Sequence, residues 1–448
     1  MPVLHDTATL SLIAFAMVAT FMILIMTKRL SALIALILVP TAFAILAGFA
    51  AGLGDMMFAG VKELAPTGVM LVFAILYFGL MIDVGLFDPL IRIIVRLVEG
   101  DPLRILLGTA ILALVVSLDG DGATTYMITT AAMLPLYRHM KMDVRMLACV
   151  VIMSGGVMNL LPWGGPTARV MSVLNLDAGA VFVPLILPMI ATACWVLFVA
   201  YRFGLYERKR LAALPPEAID EQASAETILA GDEEVHIEAR KPKLIWVNLL
   251  LTAALMVALV VGVLPLPVLF MLAFAIAMMI NFPGLNAQRE RLEAHAGNAL
   301  AVGGLIFAAG IFTGILSGTQ MVDAMAATVT SSIPPALGPY MAPITALLSA
   351  PFTFFISNDA FYFGMLPILA EAGAEYGITP EQMGRAALVG QQIHLLSPLV
   401  PSTYLLVGFV GIEMGEHQRF TLKWACGSFV VFFLVAVLLG VFPVYSTL

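Results

Sequence analysis

The chain has 448 residues, 61% of them hydrophobic and only 11% charged, far from the roughly 25% charged residues of a soluble domain. This excludes a soluble globular protein and indicates a polytopic membrane protein. The net charge of −7 comes largely from one loop, residues 217–238, so it points to no acidic or basic partner, and nucleic acid is not expected. The chain contains no GxxxxGK[ST], HExxH or GxSxG, which removes support for ATP-driven transport and for the commonest hydrolase sites.

In chain order, the first apolar span is 9–26. It is of full membrane length and is followed by Lys28-Arg29 with no small-residue cleavage site, which reads as a span rather than a cleaved leader. Further spans fit 30–52, 66–86, 146–173 and 181–201. Between the third and fourth, Leu90 to Leu97 places Arg92 and Arg96 on one face of an amphipathic interfacial helix. Asp83 and Asp88, at the end of the third span, read as interfacial caps. The cysteines Cys149, Cys194 and Cys426 lie singly in apolar segments and read as buried, inert thiols.

Residues 104–137 hold the most informative stretch, Ser117-Leu118-Asp119-Gly120-Asp121-Gly122-Ala123-Thr124-Thr125. Each apolar flank is about a dozen residues, roughly 18 Å as helix, or half of a roughly 30 Å hydrocarbon core. Arg104 and Arg138 close the two ends. The pattern predicts a re-entrant helical hairpin that turns near mid-membrane. Non-helical backbone is tolerated there only when buried in protein or lining a cavity, and carboxylates at that depth mark function.

Residues 204–243 form the one long polar segment and read as a cytoplasmic linker. The second half then repeats the plan, with spans at 244–263, 266–282, 298–317, 385–411 and 424–445. A hairpin at 335–369 carries Ser357-Asn358-Asp359 at its turn. Val72-Phe73-Ala74 matches Ile306-Phe307-Ala308, Asp121 matches Asp359, and Asn159-Leu160-Leu161 matches His394-Leu395-Leu396, at offsets of 234, 238 and 235 residues. Lys and Arg cluster in loops after the first and third spans of the first half, and in the alternate loops of the second (Arg289, Arg291, Arg419). By the positive-inside rule the halves are inverted, with both termini outside. The expected fold class is therefore an all-α polytopic membrane protein. It has two inverted repeats of five transmembrane helices plus one re-entrant hairpin each, spanning 1–203 and 244–448, with broken helices at the midplane.

The breaks are expected in 146–173 and 385–411, where Pro162 and Pro166, then Pro398 and Pro401, remove donors and clash with earlier carbonyls. Two hairpin turns and two breaks would enclose a polar chamber for an anion and a cation. Candidate substrate contacts are Ser117, Thr124, Thr125, Asn159, Gly165, Thr167, Arg169, Ser357, Asn358, His394, Ser402 and Thr403. Several of these hydroxyls can instead satisfy broken-helix backbone. Arg169 can hold a carboxylate bidentately, snorkel to the interface or pair with Asp177. His394 suits either proton coupling or helix packing, and Trp163 either lines the site or packs. Asp119, Asp121 and Asp359 are hard oxygen ligands for a metal ion or acceptors for a coupled proton; helix capping is the alternative.

Met26-Thr27-Lys28-Arg29-Leu30-Ser31-Ala32-Leu33, Ala74-Ile75-Leu76-Tyr77-Phe78-Gly79, Gly85 to Ile91, Ser117 to Met127 and Pro162 to Ala168 resemble the citrate–metal:proton symporter family of bacterial citrate transporters, within the wider ion-transporter superfamily. The resemblance runs through most of the chain outside the linker. It implies a secondary transporter of the bacterial inner membrane that imports citrate as a complex with a divalent metal, coupled to protons. It implies no permanently bound cofactor, only a metal of Mg²⁺ or Ca²⁺ type as co-substrate. The superfamily further implies a homodimer and an elevator motion of hairpins and broken helices. Its sodium-coupled members carry Ser-Asn-Thr at the hairpin turns; here Asp359 follows Ser357-Asn358. The rival readings are a cation/proton antiporter of the same architecture, a sodium-coupled di- or tricarboxylate symporter, and an intramembrane enzyme using the aspartates as acid and base.

Overall fold

The computed structural model describes residues 7–27, 29–98, 100–120, 122–213, 242–261, 263–332, 334, 336–355 and 358–446. Asp121 and Ser357, expected in the hairpin turns, lie outside the described residues, as do Lys28, Pro335 and linker residues 214–241. Among the described residues there is no strand, and seven helices are long and apolar enough to cross a membrane.

The first half comprises α1 (Thr7–Met26), α2 (Ala32–Leu46), α3 (Leu53–Asp83), α4 (Asp88–Val98), α5 (Pro102–Val116), α6 (Gly122–His139), α7 (Val144–Met158), α8 (Gly165–Val173), α9 (Ala178–Phe182) and α10 (Ile186–Ala212). The second comprises α11 (Ile245–Val261), α12 (Leu266–Asn281), α13 (Leu285–Gly318), α14 (Met321–Ser332), α15 (Met341–Phe355), α16 (Leu366–Ala374), α17 (Pro380–Leu388), α18 (Gln391–His394), α19 (Pro401–Val410) and α20 (Met414–Leu438).

Two helices outrun their expected spans. α3 begins at Leu53 rather than Pro66, and α13 at Leu285 rather than Asn298. Pro66 sits inside α3; it removes one backbone donor, which neighbouring helices can compensate. The polar start of α13 is rich in good helix formers (Ala, Gln, Arg, Glu), and Arg289 pairs with Glu293 one turn on, at 2.8 Å. At 31 and 34 residues these helices measure about 46 and 51 Å. Gly60 of α3 packs on Gly310 and Gly314, Gly68 on Phe307, and Gly79 on His295. Numbering rises along one helix as it falls along the other, so α3 and α13 are antiparallel.

Asp83 is not an interfacial cap. It is buried between these two helices, accepting from Arg291 Nη1 at 3.3 Å and sitting 2.8 Å from His295 Nε2. This contact joins the end of α3 to the start of α13, two ends that charge counting places on the same, inner side. Other ion pairs gather at helix ends assigned inside: Arg145 with Asp143 and Glu416, Arg210 with Glu207, and Arg208 with Asp101. α10 continues helically past Tyr201 to reach them. The last long helix runs over Met414–Leu438, earlier than the expected 424–445.

Each hairpin folds back on itself. In the first, a 3-10 turn (Ser117–Asp119) joins α5 to α6, and Thr109 Oγ1 lies 3.2 Å from Tyr137 Oη across the arms. In the second, α15 leads to Asn358-Asp359, then a π-helical turn (Ala360–Met365) runs into α16; such turns recur at functional sites. α7 is buried from Met146 to Val157 without interruption, as expected of a helix apolar on every face at the centre of a bundle. Large apolar side chains such as Trp246, Leu250, Met279 and Leu438 face outward, where a membrane would meet them. Cys149 is buried, but Cys194 and Cys426 are exposed, because α10 and α20 turn those faces outward.

Candidate functional site

The chain breaks where the prolines predict. α7 ends at Met158, residues 159–164 are not helical, and α8 starts at Gly165 with Pro166 in its first turn. Likewise α18 ends at His394 and α19 restarts at Pro401. Proline suits a first helical turn because its missing N–H would have had no intrahelical partner there.

The two breaks are closed by the same device. Thr167 Oγ1 donates to the Leu160 carbonyl at 2.9 Å, and Thr403 Oγ1 donates to the Leu395 carbonyl at 2.6 Å. These two threonines therefore satisfy broken-helix backbone. His394 is also committed: its Nδ1–H donates to the Thr353 carbonyl at 2.6 Å, which ties the second break to the arm of its own hairpin. Ser397 Oγ donates to the Phe354 carbonyl at 2.6 Å. In the first half Trp163 plays the corresponding part, its Nε1–H donating to the Leu118 carbonyl at 2.8 Å. Its ring stacks on Phe78 at 5.4 Å and meets Phe270 edge-on at 5.2 Å. Gly120, at φ +78, lies against this ring; a Cβ there would come within 2.9 Å of Trp163 Cδ1.

A cavity of about 110 Å³ opens beside the first turn. It is lined by Ser117, Gly120, Gly122 and Thr125 of the hairpin, Gly155 and Asn159 of α7 and its end, and Leu395 and Ser402 of the second break. Four expected site residues thus meet there from three elements: Ser117, Thr125, Asn159 and Ser402. The Ser117 and Thr125 hydroxyls are buried and have no hydrogen-bond partner among the described residues. A buried unsatisfied polar group costs about 1–3 kcal/mol, so two of them on one cavity wall suit a polar ligand. Asp119 is buried in the same turn. Thr124 is half-buried on the first turn of α6.

Arg169 does not reach Asp177, whose carboxylate instead caps α9 through the N–H groups of Gly179 and Ala180. Its guanidinium crosses to the other half: Nε donates to Asp359 Oδ1 at 2.6 Å, and Nη1 to the Gly165 carbonyl at 2.9 Å. Both side chains of this pair are under one-fifth exposed. Next to it, Asn358 Oδ1 accepts from Gln391 Nε2 at 3.0 Å, and Gln391 also donates to Tyr362 Oη at 2.8 Å. Sequence reading missed Gln391, although two adjacent glutamines in an apolar span were a visible signal. It also missed Gly155 and Leu395, which line the cavity through their place in the fold alone. Among the described residues no cluster of three His, Cys, Asp or Glu side chains is set to hold a metal ion.

The family model described as "Citrate transporter" matches residues 13–390. The chain is 58% identical over 432 residues to a citrate transporter of Bacillus subtilis (strain 168), covering 96% of this chain and 99% of that one. It is 50% identical over 434 residues to the Mg(2+)/citrate complex secondary transporter of the same organism, covering 96% and 98%. Among solved structures it superposes on the Alcanivorax borkumensis YdaH transporter with a TM-score of 0.57 at 14% identity, over 87% of this chain and 88% of that one. Neisseria gonorrhoeae MtrF gives a TM-score of 0.57 at 16% identity, over 88% and 85%. At such identities these two likenesses concern the fold only.

Proposed function

The chain belongs to the citrate transporter family, and on that premise we propose that it carries citrate across the membrane as a complex with a divalent metal ion. It is a multi-pass membrane transporter and not an enzyme. The metal enters as co-substrate; the similarity to a Mg(2+)/citrate complex secondary transporter supports an ion of Mg²⁺ or Ca²⁺ type. The observation that carries the reading at residue level is the cavity between the first hairpin turn and the two breaks, with two hydroxyls that have no partner among the described residues.

In this reading Ser117, Thr125, Asn159 and Ser402 contact the cargo in the cavity. Thr124, Gly165, Arg169, Ser357 and Asn358 are assigned further contacts to the cargo, and Thr167, His394 and Thr403 fix the shape of the breaks. Asp119 and Asp121 supply the metal interactions, and Asp359, paired with Arg169, the proton interaction. The antiparallel crossing of α3 and α13 is the relation that a two-fold axis in the membrane plane gives to the third helix of each half. It supports inverted repeats at 1–203 and 244–448 joined by the 204–243 linker. Proton coupling, an elevator motion of the hairpins with the breaks, a homodimer and residence in the bacterial inner membrane complete the proposal.

The test is uptake of labelled citrate into proteoliposomes with an acid-outside proton gradient, in metal-free buffer or with Mg²⁺, Ca²⁺, Zn²⁺ or Na⁺. Uptake that needs one divalent ion and collapses with a protonophore is the expected result. Uptake driven by Na⁺ with chelator present would move the protein to the sodium-coupled type. Absence of citrate uptake by folded protein in every condition would favour a cation/proton antiporter.

A further inference from the structure

The ion pair between Arg169 and Asp359 joins a broken helix of the first half to the hairpin turn of the second. A pair held at 2.6 Å by side chains under one-fifth exposed is costly to leave half-made: removing one partner strands the other's charge in a poorly solvated place. The charge of Arg169 is therefore already balanced while Asp359 is ionised, which weakens its pull on an anionic cargo. Nor is Asp359 well placed as a metal ligand in this state, because a cation approaching its carboxylate meets the guanidinium.

We propose that Arg169 and Asp359 form an exchange pair, in which protonation of Asp359 releases Arg169 to a cargo carboxylate, so that Asp359 carries a coupled proton and Arg169 carries the anion. This rests on the reading of the chain as a proton-coupled metal–citrate transporter. The charges balance. Citrate with three ionised carboxylates and one divalent cation is a monoanion. Before binding, the guanidinium and the carboxylate sum to zero. A proton from outside adds to an Asp359 oxygen, the Arg169 Nε–H bond to Oδ1 is given up, and the guanidinium donates to a cargo oxygen instead. The loaded site again sums to zero, with one proton taken up here for each monoanion.

The surroundings support this division. Two titratable groups among the described residues feel the charge of the pair: His394, from the second break, and Tyr362, from the π-helical turn. Both are otherwise engaged: His394 donates to the Thr353 carbonyl, and Tyr362 Oη accepts from Gln391. Neither offers Arg169 an alternative carboxylate. Arg169 is anchored by Gly165, the residue that opens α8 directly after the break whose other end, Asn159, lines the cavity.

The experiment uses full-length protein in proteoliposomes and compares wild type with Asp359→Asn, which keeps the shape of the side chain but not its proton. Two rates are read: accumulation of labelled citrate with Mg²⁺ under a pH gradient, and citrate–citrate exchange at equal pH on both sides. One coupled proton gives about tenfold accumulation per pH unit. The variant is expected to lose that accumulation, while its exchange rate, whatever its size, stops varying with pH across the range in which wild type varies. Accumulation and pH dependence like those of wild type in the variant would overturn the proposal. So would a folded variant, by size exclusion, that neither accumulates nor exchanges. If Asp359→Asn does not fold, Asp359→Glu decides: a displaced pH midpoint of exchange supports the pair, and an unchanged one refutes it. Failure of wild type to move citrate at all would instead overturn the function on which the inference rests.

Discussion

Replacing Gly60 by alanine tests the helix crossing at the centre of the fold. A Cβ built on Gly60 would lie 2.0 Å from the Gly310 carbonyl oxygen and 2.8 Å from both Cα and N of Gly314. All three are backbone atoms, so no rotamer change relieves the contact. Ordinary contact begins near 3.4 Å, so α3 and α13 must part by about 1.4 Å at their closest point. A gap of even 0.5–1 Å forfeits about a quarter to a half of the dispersion between facing atoms, and overpacking of this kind costs about 1–3 kcal/mol. We take the upper end, about 3 kcal/mol. At about 2.1 cal/mol/K of unfolding entropy per residue, this corresponds to a fall in Tm of about 3 °C. The assay is thermal unfolding of purified protein in detergent, with Gly54→Ala as control. A Cβ on Gly54, in the first turn of the same helix, would meet nothing within 4 Å, and alanine there is neutral or gains up to about 1 kcal/mol. The same geometry ranks the reciprocal variants: Gly314→Ala (2.3 Å from the Met56 carbonyl oxygen) should cost more than Gly310→Ala (2.8 Å from the Gly60 carbonyl oxygen). If Gly60→Ala melts with the Gly54→Ala control, the packing argument is wrong.

Ser117→Ala and Thr125→Val remove buried hydroxyls that lack partners among the described residues; each should leave the empty protein as stable or more so, yet raise the KM for metal–citrate about tenfold, the worth of one charge-assisted hydrogen bond. A drop in melting temperature with unchanged KM would assign both a structural role. Thr167→Val and Thr403→Val should do the opposite, each destabilising by about 1–3 kcal/mol by stranding the Leu160 or Leu395 carbonyl, with KM changed less than by the Ser117 variant. Gly120→Ala combines left-handed backbone strain of about 1–2 kcal/mol with a contact on Trp163; uptake assays should show a loss that Trp163→Phe reproduces, and full uptake in both would disconnect that contact from transport.

The sequence pattern made the plan of helices, hairpins and breaks readable because each depends on local chemistry: apolar length, paired prolines, and carboxylates where none is cheap. Helix ends were less legible. The extensions of α3 and α13 follow from contacts with one another, including Asp83 with Arg291 and His295, and such contacts leave no mark in a window of neighbouring residues. The candidate site divides along the same line. Ser117, Thr125, Asn159 and Ser402 were legible as polar residues in broken segments. That Thr167 and Thr403 turn back to their own backbone, while Arg169 reaches across to Asp359, depends on orientations set by the packing of distant elements. Gln391 shows in the sequence only as a polar residue in an apolar span; its contact with Asn358 depends on packing.

Each hairpin turn touches two breaks. It is tied to the break of its own half through main-chain carbonyls, at Leu118 and Phe354. It faces the break of the opposite half through the groups at the site: Gly122 beside Ser402, and Asp359 on Arg169. A half produced alone would keep its internal ties but present an unfinished surface, with either Arg169 or Asp359 stranded without its counter-charge. Two separately encoded halves could still complement one another, provided each inserted in its own orientation. Under that view the linker enforces equal numbers of the two halves, and their attraction is written into the site itself.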